Sequence, residues 1–168
     1  NGETGDGSKE NKGKLKFTVT DPTAVVTGTV AKADEVDAVN ITTTGLVSIS
    51  SAKLEGSYAN VKKVYDANDN AKITGVAGID IELTGGETVA NVNKAKSYTT
   101  GTITGTLATA EDSIAELLLI DNDGTANIAV SAKINKSSET NLNAADLIKI
   151  QGLTSGLITL GSQVATIN

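Results

Sequence analysis

The sequence predicts an α/β fold built as a small repeat solenoid of short helix-turn-strand units, and three observations carry that reading. The first is an internal match. Residues 33–49, ADEVDAVNITTTGLVSI, return as residues 144–160, AADLIKIQGLTSGLITL, at a constant offset of 111. Ala33 answers Ala144, Glu35 answers Asp146, Val36 answers Leu147 and Val39 answers Ile150; Thr43-Thr44-Gly45 answers Thr154-Ser155-Gly156. Leu46, Val47 and Ile49 answer Leu157, Ile158 and Leu160, and a third copy surrounds Val92 and Thr99-Thr100-Gly101-Thr102-Ile103. The second observation is spacing. The first strong apolar residues of the helical pieces are Val36, Val61, Val92, Ile114 and Leu147, at intervals of 25, 31, 22 and 33 residues, so that two units repeat every 56 or 55 residues. Periods of about 20–50 residues mark solenoids and arrays. The third is composition. Hydrophobic residues make up 39% of the 168-residue chain and aromatics 2%, namely Phe17, Tyr58, Tyr65 and Tyr98. A thin core of Val, Ile, Leu and Ala suits stacked layers, since wide globular cores draw on aromatics that bury about 150–250 Å² each.

The elements follow in order. Residues 1–13 hold no large apolar side chain and read as a flexible tail or linker. Residues 14–168 form the repeat domain of about five units. It opens on Lys14–Thr20, where Leu15, Phe17 and Val19 alternate with polar residues as in a half-buried strand, ended by Pro22. Thr27-Gly28-Thr29-Val30-Ala31 returns as Thr104-Gly105-Thr106-Leu107-Ala108, each before an acidic helix start, Asp34-Glu35 or Glu111-Asp112. Helical stripes are Tyr58, Val61, Val64 and Tyr65; Val89, Val92 and Ala95; and Ile114, Leu117 and Leu118. Thr84 stands three residues before Glu87, and Thr109 three before Asp112, as capping boxes require, and Asn143 is an N-cap before Ala144. Gly45, Gly101, Gly124 and Gly156 follow the helices, where a positive φ would turn the chain. Strands are expected at Leu46–Ser50, Ile79–Leu83, Thr102–Leu107, Ala126–Ser131 and Leu157–Leu160, parallel because each follows a helix. The alternative is a Thr-rich β-sandwich in which the helical pieces are loops.

The absences exclude much chemistry. Without His or Cys the chain has no imidazole base, thiol nucleophile, disulfide or ordinary zinc site. It has 14 Lys, no Arg and a net charge of −6, a poor match to nucleic acid or anionic lipid. No apolar run approaches the roughly 20 residues that span a bilayer, so no membrane insertion is expected. No cofactor is implied except calcium, whose candidate ligands are Asp66, Asn68 and Asn70 in one oxygen-rich run and Asp121 and Asp123 in another. Both runs lack the Gly and Glu that an EF-hand loop needs at its sixth and twelfth places: Ala71 and Ala77 stand there in one, Ala126 and Ala132 in the other. Asp80, Glu82, Glu87 and Asp112 could supply a carboxylate pair, but nothing marks two of them as sharing a cleft, and no enzyme is expected. Thr102, Thr104 and Thr106 share one face of a strand without matching threonines in the neighbouring strands. Lys12, Lys14 and Lys16 make a small basic arm.

The pattern A-D-x-[VL]-x-x-[VI]-x-x-x-T-[TS]-G-x-[VI], followed by Leu54-Glu55-Gly56-Ser57-Tyr58 and Ile73-Thr74-Gly75-Val76, resembles a tandem repeat of giant surface proteins of marine cyanobacteria. Similar repeats look to occur in structural proteins of the phages that infect them. The resemblance covers residues 27–168 and offers no catalytic residue to carry over. It implies a non-enzymatic, extracellular structural module at a cell surface or on a virion, whose partners are protein neighbours, itself or a larger assembly. The alternative is an adhesin-type ligand-binding module, with or without the help of calcium. The C-terminus is apolar and uncharged after Lys149, a poor cap for a repeat stack and a ready edge for pairing, with the strand at Leu15–Val19 as its counterpart at the other end.

Overall fold

The protein is described from a computed structural model covering residues 16–20, 23–108, 113–124, 127–135, 141–162 and 164–168, with backbone alone for 16–20. The tail 1–13, Lys12, Lys14, Leu15, Pro22, the Thr109–Asp112 cap and the Lys16 side chain lie outside the described residues. The fold is mixed α/β with parallel sheets, and it holds five helices among the described residues. The all-strand alternative therefore does not hold: each of the five helical pieces is a helix. The chain divides into two compact units, Asn1–Ile79 and Asp80–Asn168.

In the first unit, β1 (Lys16–Thr20) and β2 (Thr23–Thr27) form an antiparallel hairpin with Thr20 opposite Thr23. Gly28, at φ 138°, breaks the strand before β3 (Val30–Lys32). Helix α1 (Ala33–Thr42) returns the chain to β4 (Val47–Ile49), which lies parallel to β2 with Val47 opposite Ala24 and Ile49 opposite Val26. Strand β5 (Lys53–Gly56) runs parallel to β3, and Lys32 and Glu55, facing each other in that register, form an ion pair. Helix α2 (Tyr58–Asp69) buries Val61, Val64 and Tyr65 of the expected stripe, with Tyr58 half-buried, and leads to β6 (Ile73–Thr74) beside β4. Its start is fixed by Ser57, whose hydroxyl accepts from the Asn60 amide at 3.4 Å. Its far end is tied by the Tyr65 hydroxyl donating to the Val76 carbonyl at 3.0 Å.

The second unit is built from the same kinds of element. Strands β7 (Asp80–Glu87), β8 (Thr102–Leu107), β9 (Asn127–Ile134) and β11 (Ile158–Leu160) are parallel neighbours in the order β11-β9-β8-β7. Parallel neighbours need crossovers, and here they are α3 (Val89–Ala95), α4 (Ile114–Leu117) and α5 (Ala144–Leu153). Strand β10 (Asn141–Leu142) precedes α5 and pairs with β12 (Thr166–Ile167), parallel. Ile81, Ile103 and Ile128 are opposite one another across β7, β8 and β9 and fully buried. Glu82, Thr104 and Ala129 form the next rung, on the outer face.

One capping expectation is corrected. Thr84 lies inside β7, which continues to Glu87 through Gly85 and Gly86 with a shift of register; the true N-cap of α3 is Thr88, accepting from the Asn91 amide at 3.1 Å. Helix α4 is capped by Ser113, whose reciprocal bonds with Glu116 complete a capping box.

The recurring Thr-x-Gly turn also works differently from its expectation. Of the four glycines after the helices only Gly124 takes a positive φ, 82°. In the other three turns the glycine amide donates to the threonine hydroxyl two residues earlier: Gly45 to Thr43 at 3.1 Å, Gly101 to Thr99 at 2.9 Å, Gly156 to Thr154 at 3.1 Å. Thr43 and Thr154 also close their helices, donating from the backbone to Val39 at 3.0 Å and Ile150 at 3.2 Å. Threonine thus both ends the helix and shapes the turn into the strand. Thr154 does more: it is buried, and its hydroxyl donates to the Val130 carbonyl at 2.9 Å. Removing it strands a donor and an acceptor, so Thr154→Val is expected to cost about 1–3 kcal/mol in urea unfolding. Thr43→Val, at a half-buried position, should cost less; equal losses would show that the Val130 bond contributes nothing.

Helix α1 and strand β4 match α5 and β11 end to end at the offset of 111. Their burial differs. Val36 is fully buried in α1, whereas its counterpart Leu147 is half-buried and Ile150, one turn on, is the buried residue of α5. Val61→Ala and Ile150→Ala are therefore expected to cost about 2–4 kcal/mol, the valine at the low end, and Leu147→Ala clearly less. Urea melts check this; a Leu147 loss as large as that of Ile150 would overturn the assignment.

Candidate functional site: the open α5–β11 layer

Strand β11 is the edge of its sheet among the described residues. It docks on β9 as β4 docks on β2: the Ala132 amide donates to the Leu157 carbonyl at 3.0 Å and the Gly161 amide to Ile134 at 2.7 Å, as Ala24 does to Leu46 at 2.8 Å and Ser50 to Val26 at 2.9 Å. Beyond β4, however, lies β6, and α2 packs against α1. Under that cover Val36 and Val47 are fully buried and Ile49 is 4% exposed. The counterparts Leu147 and Ile158 are half-buried and Leu160 is 41% exposed. Asp37, which pairs with Lys63 of α2 at 3.3 Å, is replaced at the equivalent place by Ile148, 70% exposed. Leu157 and Ile167 are exposed as well. The only charges on α5, Asp146 and Lys149, pair with each other at 2.9 Å. The result is an apolar helix-and-strand layer without net charge. Ile41 and Leu119 are also exposed, an ordinary occurrence for single apolar residues.

On the outer face of the same sheet a shallow groove of about 280 Å³ lies between β8, β9 and β11. Thr106, Ser131 and Thr159 line it with hydroxyls, beside Lys133, Asn135 and Leu157. Among the described residues its lining holds no carboxylate and no aromatic ring. Thr102, Thr104 and Thr106 do share a face of β8, but their partners in register on β9 are Asn127, Ala129 and Ser131.

The calcium candidates sit as follows. Asp66 and Asn68 are in the last turn of α2 and Asn70 is its C-cap, so this run is helix end rather than ligand loop. Asp66 accepts from Lys62 at 2.5 Å, and the Asn70 side chain donates to the Asp66 carbonyl at 2.7 Å. Asp121 and Asp123 converge on a cation that the chain itself supplies: the Lys96 ammonium lies 2.7 Å from one and 3.0 Å from the other. Among the described residues no cluster of three or more acidic side chains could hold a metal. Asp80 accepts from the Thr102 amide at 2.7 Å and Glu87 from the Asn91 side chain at 2.8 Å. Nothing in the sequence marks Lys96, one lysine among many. Ile148, by contrast, is legible as the apolar residue standing where the first copy has Asp37.

Hydrogen bonding to Asp121, reinforced by Asp123, raises the Lys96 pKa against the opposing effect of desolvation. A lysine whose pKa is higher in the fold than in the unfolded chain stabilises fully below the unfolded value, about 10.4. The contribution is lost as pH rises through the higher folded value. Melting temperatures from neutral pH to above pH 11 should therefore fall more steeply for the native chain than for Lys96→Met; parallel curves would remove the effect.

Comparison with family models, curated proteins and solved structures finds no match for this chain. No helix among the described residues is long and apolar enough to cross a membrane.

Proposed function

We propose that the chain is a non-enzymatic structural repeat module of an extracellular surface, part of a cell-surface protein or of a virion, acting through contacts with protein neighbours. The observation that carries this reading is the α5–β11 layer, where a helix-turn-strand unit that is covered in its first copy presents apolar, uncharged side chains to solvent. Recurrence of the Thr-x-Gly turn in three helix-strand connections supports the finer reading of the fold as a small solenoid of about five such units. Layers of that kind stabilise one another by stacking, so a layer left uncovered among the described residues calls for a cap or a neighbour. The resemblance of residues 27–168 to cyanobacterial surface repeats and cyanophage structural proteins points the same way. Immunogold labelling of the native source tests it: label on cell envelopes, filaments or capsids is expected, and label confined to the cytosol would overturn it.

The hydroxyl-lined groove supports a second reading, an adhesin-type module that binds a neutral, hydrogen-bonding ligand such as a glycan. No carboxylate stands among the described lining residues, so this reading does not call on calcium. The melting temperature is expected to be the same with millimolar calcium as with chelator; a rise of several degrees would revive calcium-assisted binding. A glycan-binding screen that Lys133→Ala or Thr106→Val abolishes would favour the adhesin over the structural module.

A further inference from the structure

We infer that the α5–β11 layer is the contact surface for a second copy of this chain, joined about a two-fold axis perpendicular to the sheet. The inference deepens the structural reading above and rests on it.

What such a surface accepts is shown by its equivalent in the first unit. There the helix α1 takes another helix, α2, at its side, and the strand β4 takes another strand, β6, at its edge. The cover is one helix and one strand placed side by side. A second α5–β11 layer supplies that combination at once. A two-fold axis normal to the sheet sets β11 antiparallel to its mate and keeps both α5 helices on the same face, each beside the other.

The strand edge fits this. The Leu157 carbonyl and the Gly161 amide face β9. Alternation along the strand therefore turns the backbone groups of Ile158 and Leu160 outward, free to exchange bonds across an antiparallel pair centred on Thr159. Side chains agree with the backbone. Ile148 on the helix and Leu160 on the strand are 70% and 41% exposed; Ile148 would meet its own counterpart, and Leu160 would lie opposite Ile158 of the second copy.

Charge selects the partner. Each copy carries −6, so two copies repel over most of their surfaces. This layer is the exception: Asp146 and Lys149 neutralise each other, and residues 150–168 carry no charged side chain. Where Asp37 meets Lys63 in the first unit, Ile148 would meet only apolar surface, which a partner with an α2-like lysine would leave unpaired. An isologous contact also closes at two copies and builds no filament.

The test uses the full chain in sedimentation equilibrium over a concentration series. A monomer–dimer equilibrium is expected. The double variants Ile148→Lys/Leu160→Lys and Ile148→Glu/Leu160→Glu should each weaken it at least tenfold, while a mixture of the two dimerises again. Both sites are solvent-facing, and unchanged far-ultraviolet circular dichroism confirms folding. A native chain that stays monomeric throughout, or variants that dimerise as the native chain does, would overturn the inference. Assembly beyond two copies would overturn the two-fold contact in favour of a head-to-tail one. A monomer located on an extracellular surface would leave the structural module standing as a passive spacer; cytosolic label would remove the module whatever the oligomeric state.

Discussion

Replacing Gly75 by alanine is expected to destabilise the protein by about 3–5 kcal/mol, among the largest effects of any single substitution. Two costs combine. Gly75 has φ 83°, and an L side chain in that left-handed region costs roughly 1–2 kcal/mol. An added Cβ would also fall 2.0 Å from the Ile49 carbonyl oxygen, which belongs to β4. Overpacking against atoms that can yield costs typically 1–3 kcal/mol; a carbonyl held in a strand yields least. Gly75 directly follows β6 and precedes Val76, whose carbonyl receives the Tyr65 hydroxyl, so a shift there reaches α2 as well. Gly85 is the control. Its φ is 93°, but nothing lies within 4 Å of its added Cβ, so Gly85→Ala isolates the backbone cost and should lose about 1–2 kcal/mol. Equal losses for the two variants in urea melts would show that the close approach to Ile49 is relieved at no cost.

Those parts of the fold that rest on local pattern are legible in the sequence. Alternation delimits Thr102–Leu107 in full, and apolar residues three and four apart mark the five helical pieces. The offset of 111 by itself pairs α1 and β4 with α5 and β11. Strands with few apolar residues escape. Lys53–Gly56 buries only Leu54 and Thr23–Thr27 only two residues, Ala24 and Val26, so neither gives enough alternation to read. Two adjacent glycines, Gly85 and Gly86, lie beyond the expected strand Ile79–Leu83; in the fold both take positive φ inside a bulged strand paired with β8. Gly156 stands at its expected turn for a different physical reason, close approach to β9 rather than a positive φ, and sequence alone does not separate the two. The candidate surface is legible as an uncharged apolar end. Which side chains face solvent depends on the layer above: Leu147 follows Val36 in sequence, but Val36 is buried beneath a cover that Leu147 lacks. The pairing of Lys96 with Asp121 and Asp123 has no sequence signal, because it depends on a crossover that brings residues 25 apart together.

Gly156→Ala is expected to cost about 3 kcal/mol or more, at the upper end of what overpacking does. No unusual φ contributes. The damage comes from an added Cβ at 2.0 Å from the Val130 oxygen, 2.3 Å from its carbon and 2.9 Å from the Ala129 carbon, three backbone atoms of β9 with no rotamer to change. The turn must move away from the sheet. In doing so it strains the Thr154 hydroxyl bond to the same Val130 carbonyl and the Ser155 amide bond to Ile128, at 2.9 Å each. Those bonds seat β11, so the loss should fall on the α5–β11 layer and reach the surface assigned to the second copy: dimerisation should weaken together with stability. Gly152, four residues earlier in the same helix-turn segment, is the matching control. It lies within α5 with nothing within 4 Å of its added Cβ, so alanine there should stabilise by about 0.5–1 kcal/mol through helix propensity. Denaturant melts and sedimentation of both variants separate the cases. A Gly156→Ala protein as stable as the native chain would mean that the Thr-x-Gly turn does not press on β9, and the layer's attachment would have to rest on the β9–β11 strand bonds alone.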